Sequence, residues 1–230
     1  VDINVPPVWF STDGTEVTFT GTVDLTQTYV NSNIGAATIV IIAGYTSIGL
    51  SAFENKTSLT SVTIGDSVTS IGERAFYNCS NLMYITIGDN VTSIANNAFN
   101  NRTLLTSVII PDSVLSIGDN AFNNCQGLTS VTIPDSVLSI GVSAFQHCGL
   151  ASITIPPNMT TIGNYAFSTN PLTELIAYSN PQISGGAPYF GNTTLEHVTF
   201  DYVGEIPTNA CDDLANLTSV TIGNQITTIG

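Results

Sequence analysis

Apolar side chains return along this chain at a nearly constant interval. Aligning on phenylalanine gives Phe53, Phe76, Phe99, Phe122, Phe145, Phe167 and Phe190, with Cys211 in the matching place of a last, degenerate unit; the steps are 23, 23, 23, 23, 22, 23 and 21 residues. Counted from its leucine, the unit reads L-T-S-V-T-I-P-D-S-V-L-S-I-G-x-x-A-F-x-N-C-x-x, apolar at positions 1, 4, 6, 10, 13, 17 and 18. Positions 4 and 6 alternate with polar 3 and 5, the period of a half-buried strand. The inward pairs are Val62/Ile64, Ile85/Ile87, Val108/Ile110, Val131/Ile133, Ile153/Ile155, Val198/Phe200 and Val220/Ile222. A second extended piece covers positions 10 to 13, as in Val137 and Ile140. Between the two lies P-D-S or G-D-S/N, a turn sequence. Position 14 is usually glycine (Gly49, Gly72, Gly118, Gly141, Gly163), expected to take a backbone conformation closed to other residues.

No single unit can close a core. A fixed period in the twenties marks a solenoid, in which each turn buries its apolar side against its neighbours at the strand spacing of about 4.7–4.9 Å. The expected fold is therefore a mainly β repeat solenoid of roughly nine rungs over 39–230, irregular at 172–211. Each rung has one short parallel strand, a second short extended segment and an irregular or 3₁₀ return. Residues 1–38 fall outside the repeat and are expected to form an N-terminal β cap. NQITTIG stops halfway through a unit, so the chain is expected to continue beyond 230 or to be covered there by a partner.

Units of the LTSVTIPDSVTSIG type ending in AFxNC resemble the BspA-like leucine-rich-repeat family, known from bacterial and protist surface proteins and some viral genomes. The resemblance covers about 39–230 and is most specific in the middle units. It implies a right-handed superhelix and a binding or adhesion role at a cell surface, toward a protein or glycan.

Composition narrows the partners. The net charge is −14, with 17 acidic residues against Lys56, Arg74 and Arg102. Phosphate backbones and anionic membrane surfaces need clustered basic side chains, so nucleic acid and acidic lipid are excluded as partners. No apolar run approaches the roughly 18 residues that span a bilayer.

The outward strand face is the informative surface. Read from the repeat, position 5 is Val40, Thr63, Thr86, Ile109, Thr132, Thr154, Ile176, Thr199 and Thr221, and position 3 is Thr38, Ser61, Tyr84, Ser107, Ser130, Ser152, Glu174, His197 and Ser219. Large or charged groups on a flat sheet are what recognition uses. Tyr84 with Ile109 form one candidate patch; Glu174, Ile176, Glu196 and His197 form another. Position 20 carries Asn55, Asn78, Asn101, Asn124 and Asn192, with His147 as the exception, and is expected to be a buried structural ladder.

Asp66, Asp89, Asp112 and Asp135 recur at position 8, as turn acceptors or as a weak calcium column. Position 21 holds Cys79, Cys125 and Cys148, favoured as free thiols in a repeated niche, with a bridge between Cys125 and Cys148 left open. Asn-x-Ser/Thr occurs at Asn55, Asn78, Asn90, Asn101, Asn158, Asn192 and Asn216, and glycosylation stays open. No nucleophile–base–orienter set and no cofactor motif is legible, so the chain is expected not to be an enzyme. Two other classes of function remain: a structural segment of a viral particle, tail fibre or surface array, and ice binding by the Thr/Ser ladders.

Overall fold

Ile64, Ile87, Ile110 and Ile133 stand one repeat apart, and each is at most 6% exposed within one continuous core. The computed structural model describes residues 8–10, 15–183, 194–206, 210–211 and 214–229. These form a parallel β coil of about nine turns that carries almost no helix.

Each turn has three sides. On the first, the strands Glu16–Thr20, Ile39–Ala43, Ser61–Ile64 and Tyr84–Thr86 pair in parallel, with Val8–Phe10 antiparallel on the outer edge. This column resumes with Ser152–Ile155, Glu174–Ala177, His197–Phe200 and Ser219–Ile222. The second side is an unbroken ladder of eight two-residue strands, from Asp24–Leu25 through Ser93–Ile94 and Ser116–Ile117 to Gln182–Ile183. Beyond it, Gly204–Ile206 pairs with Ile226–Ile229.

The third side is the return, and it is neither strand nor 3₁₀ helix. Its residues at positions 16 and 20 have positive φ, for example Ser51 at 52°, Asn55 at 61°, Asn97 at 58° and Asn101 at 66°. The backbone N–H groups at positions 16, 18 and 20 donate to carbonyls of the next turn: Ser51 to Glu73, Phe53 to Ala75, Asn55 to Tyr77. Backbone groups that a buried loop would leave unpaired are thereby satisfied between turns. Inside this side the phenylalanines stack: from Phe53 through Phe76, Phe99, Phe122 and Phe145 to Phe167, ring centroids are 5.0–5.5 Å apart and planes within 18° of parallel.

The first column is interrupted in the middle. None of the backbone hydrogen bonds among the described residues joins 107–110 to 84–86, or to 130–133. Position 7 explains this. Gly65 N–H donates to the Ile42 carbonyl at 2.9 Å, but Pro111, Pro134 and Pro156 occupy that place in the three turns that meet across the gap. Proline has no N–H to give. Val131 beneath the gap is only half buried, whereas Val62 is 1% exposed.

Two expectations are corrected. In the first repeat Val40 pairs with Val62 and is fully buried, so the outward residues there are Ile39 and Ile41 rather than Thr38 and Val40. The step from Val40 to Val62 is one residue shorter than the step from Phe53 to Phe76, which shifts the register and reverses the faces. The repeated glycine at position 14 is not in the left-handed region. A Cβ on Gly72 would lie 2.6 Å from the Ile48 carbonyl oxygen, so the close approach of the preceding turn selects glycine.

The described part of the N-terminal segment already follows the coil. Glu16–Thr20 lies parallel to Ile39–Ala43, and the helix Gln27–Asn33 replaces the return. Thr26 caps that helix by accepting from Tyr29 N–H at 3.3 Å. Tyr29 then packs edge-on against Phe19, which packs edge-on against Phe53.

Candidate functional site

Where the first column is paired, its parallel register sets the outward side chains in files. In the parallel register Ser152, Glu174, His197 and Ser219 stand in one file, and Thr154, Ile176, Thr199 and Thr221 in the next. Glu174 and His197 are therefore direct neighbours across strands. His197 Nδ1 is 2.8 Å from the Ser219 hydroxyl, and its Nε2 is 4.0 Å from a Glu196 carboxylate oxygen. Glu174, Glu196 and His197 are exposed, whereas Ile176 is half buried. This group forms one polar patch with a small aliphatic centre.

Tyr84 and Ile109 are 61% and 82% exposed. They stand on either side of the proline-interrupted ladder, so no strand register holds one against the other. At the N-terminal end the exposed face changes character: Ile39 and Ile41 lie between Glu16 and Thr18 on one side and Ser61 and Thr63 on the other. The repeat alignment missed these two, because it placed Val40 outward.

The position-20 asparagines hydrogen-bond in file: Asn78 Nδ2 donates to Asn55 Oδ1 at 2.8 Å, Asn101 to Asn78 at 3.2 Å and Asn124 to Asn101 at 2.6 Å. The file is not buried as expected. Asn55 is exposed and the other three are half buried. Each also takes positive φ, as does His147 in the same slot, and asparagine tolerates that region better than most residues. Asn192 lies outside the described residues.

Position 21 has a defined task. The Cys79 thiol donates to the Phe53 carbonyl at 3.0 Å, Cys125 to Phe99 at 3.4 Å and Cys148 to Phe122 at 3.2 Å. Asn170, one residue type apart in the same slot, donates to Phe145 at 2.8 Å. All three thiols are free and buried, and burial pushes that of Cys79 up to about 11. Arg102 breaks the pattern. It is fully buried, one Nη donates to the Asn100 carbonyl, and Nε and the other Nη have no partner. Burial pulls its pKa down from the ordinary value, which the neighbouring thiols only partly oppose.

The aspartates at position 8 do not converge. The Asp66 carboxylate accepts from the Asp89 backbone N–H of the next turn at 3.0 Å, which ties turns together rather than closing its own turn. Among the described residues no three His, Cys, Asp or Glu side chains are grouped closely enough to hold a metal ion, so the weak calcium column is not assembled. The second column forms a shallow groove of about 710 Å³. Ser93, Ser116, Ser139 and Thr161 are among the residues that line it, with Asn96 and Asp119. Its trough exists because position 14 lacks a side chain, and no sequence motif announces it.

No described helix is long and apolar enough to cross a membrane. The family model for BspA-type leucine-rich repeat regions matches six copies over residues 25–134 and 115–230. Among solved structures the chain is similar to a leucine-rich repeat protein of T. pallidum, at 20% identity and TM-score 0.61, over 94% of this chain and 90% of that one. It is similar to a leucine-rich cell surface protein of Faecalibacterium prausnitzii, at 28% identity and TM-score 0.56, over 100% of this chain and 72% of that one. A pneumococcal vaccine antigen, PcpA, matches at 17% identity and TM-score 0.55, over 96% of this chain and 71% of that one. No curated protein sequence matches the chain significantly.

Proposed function

We propose, from the premise that this chain belongs to the BspA-type leucine-rich repeat family, that it is a non-enzymatic binding module displayed at a surface. Its outward first-column sheet is the face that meets a protein or glycan partner. The observation that carries this is Ile109, an aliphatic side chain 82% exposed among the Thr and Ser of the outward face. An apolar side chain standing clear of a hydroxyl-covered face is the kind of group on which affinity concentrates in an interface. Tyr84, on the adjacent turn, supplies an aromatic anchor of the type enriched in contact surfaces. The likeness to a leucine-rich cell surface protein supports display outside the cell.

The test compares the chain with a Tyr84→Ser, Ile109→Thr variant, which restores the residues most units carry at those positions. Both are probed against a panel of extracellular matrix proteins and neutral oligosaccharides. The proposal expects at least one binder of the parent to be weakened tenfold or more, with the melting curve unchanged. Equal binding by both chains would remove Tyr84 and Ile109 from the site.

A further inference from the structure

Position 21 is filled in successive turns by Lys56, Cys79, Arg102, Cys125, Cys148 and Asn170. Cys125 and Cys148 are therefore the one pair of thiols on neighbouring turns of this file, while Cys79 has a basic residue on either side. Around the pair the return is held in register. Phe122 N–H donates to the Ala144 carbonyl at 2.7 Å and Asn124 N–H to the Gln146 carbonyl at 2.8 Å, and the rings of Phe122 and Phe145 stack at 5.1 Å. Turns at the strand spacing of about 4.7–4.9 Å fall inside the Cα separation of about 4.4–6.8 Å that a disulfide spans. The Cys148 thiol already reaches back into the turn of Cys125, where it donates to the Phe122 carbonyl at 3.2 Å. Burial first, and then the Cys148 thiol beside it, push the Cys125 thiol well above its ordinary value.

The pair also sits where the coil is short of links. Turns 105–127 and 128–149 are the ones whose first-side strands share no backbone hydrogen bond among the described residues, because Pro111 and Pro134 stand at position 7. They are joined on the second side, by Ser116–Ile117 against Ser139–Ile140, and along the return. We propose that Cys125 and Cys148 are an oxidisable pair, whose disulfide staples these two turns on the third side and replaces the link the first side lacks.

The oxidant this requires is a small-molecule disulfide such as oxidised glutathione, and the exchange balances. Cys148, 5% exposed against 0% for Cys125, reacts first through local opening of the turn. Its thiolate attacks one sulfur of the small disulfide, whose S–S bond breaks and expels one thiolate, leaving a mixed disulfide on Cys148. The Cys125 thiolate then attacks the Cys148 sulfur and expels the second small thiolate. Two protein thiols are oxidised to one disulfide, one small disulfide is reduced to two thiols, and the two protons pass from the protein to those thiols. The free thiols described above are the reduced form of the pair. The bond closes a loop within one chain, so it acts on stability independently of any ligand the sheet binds.

The test incubates the reduced whole chain with millimolar oxidised glutathione in mildly alkaline buffer, alkylates the remaining thiols and maps the peptides without reduction. The expected product links Cys125 to Cys148 and leaves Cys79 alkylated. A Cys148→Ser variant, whose hydroxyl still has a proton to give the Phe122 carbonyl, is expected to form no bridge at Cys125. In the oxidised parent the amides of Val108, Ile110, Val131 and Ile133 are expected to exchange about fivefold or more slowly than in the reduced chain, with no such change in the variant. Finding Cys125 and Cys148 both alkylated, or carrying glutathione without a bridge, would overturn the inference. So would a bridge through Cys79, a bridge that forms only in urea, or a Cys125–Cys148 bridge that leaves those four amides exchanging as before.

Discussion

The carboxamide of Asn101 donates to that of Asn78 across 3.2 Å, and both residues have backbones in the left-handed region, at φ 66° and 56°. The two properties belong together. Positive φ turns the return so that the position-20 N–H faces the next turn, and asparagine tolerates that conformation while linking side chains along the file.

Substitution separates the two contributions. Asn78→Ala loses both and is expected to destabilise the protein by about 2–3 kcal/mol, from a left-handed non-glycine residue and its lost hydrogen bonds. Asn78→Gly keeps the backbone freedom and is expected to cost about 1 kcal/mol. Urea unfolding midpoints of the two variants check this. Equal losses would show that the conformation contributes nothing.

Arg102 occupies the slot in which Cys79, Cys125 and Cys148 satisfy a carbonyl of the preceding turn, and it leaves Nε and one Nη unpaired. An uncompensated buried cation is costly. Arg102→Cys is therefore expected to stabilise the chain by about 1–2 kcal/mol, the loss of the aliphatic stem offsetting part of the gain. A lower urea midpoint in this variant would mean that the guanidinium is paired in solution.

Pro111, Pro134 and Pro156 deny the first column its ladder across three successive turns. Native-state hydrogen exchange is expected to show the amides of Val108, Ile110, Val131 and Ile133 exchanging roughly tenfold or more faster than those of Val62 and Ile64. Uniform protection along the whole column would contradict the interruption.

Much of this was legible in the sequence because one physical cause repeats. Val62/Ile64 and Phe76 recur in later units, since each turn must bury the same side against the next, so period, strand face and stacked core all follow from the spacing. The register of the first turn did not follow. The step between Val40 and Val62 differs from that between Phe53 and Phe76, and an alignment on phenylalanine carries the error to the strand. The ladder gap had a signal in the proline at position 7, visible as part of a turn but not as a missing donor. The left-handed returns also had one, in the asparagines of position 20. The second-column groove had none, for it depends on how closely backbones approach at Gly118 and Gly141. Of the two candidate patches, strand register joins Glu174 to His197, whereas Tyr84 and Ile109 are not held together by it.

The coil holds together only if a turn is stable solely when it lies on other turns. The most direct measurement is circular dichroism with amide exchange on a synthetic peptide of residues 105–127, set beside the whole chain. The peptide is expected to show no strand signal and no amide protection at any temperature, while the chain unfolds as one cooperative coil. A peptide that folded alone would contradict the account.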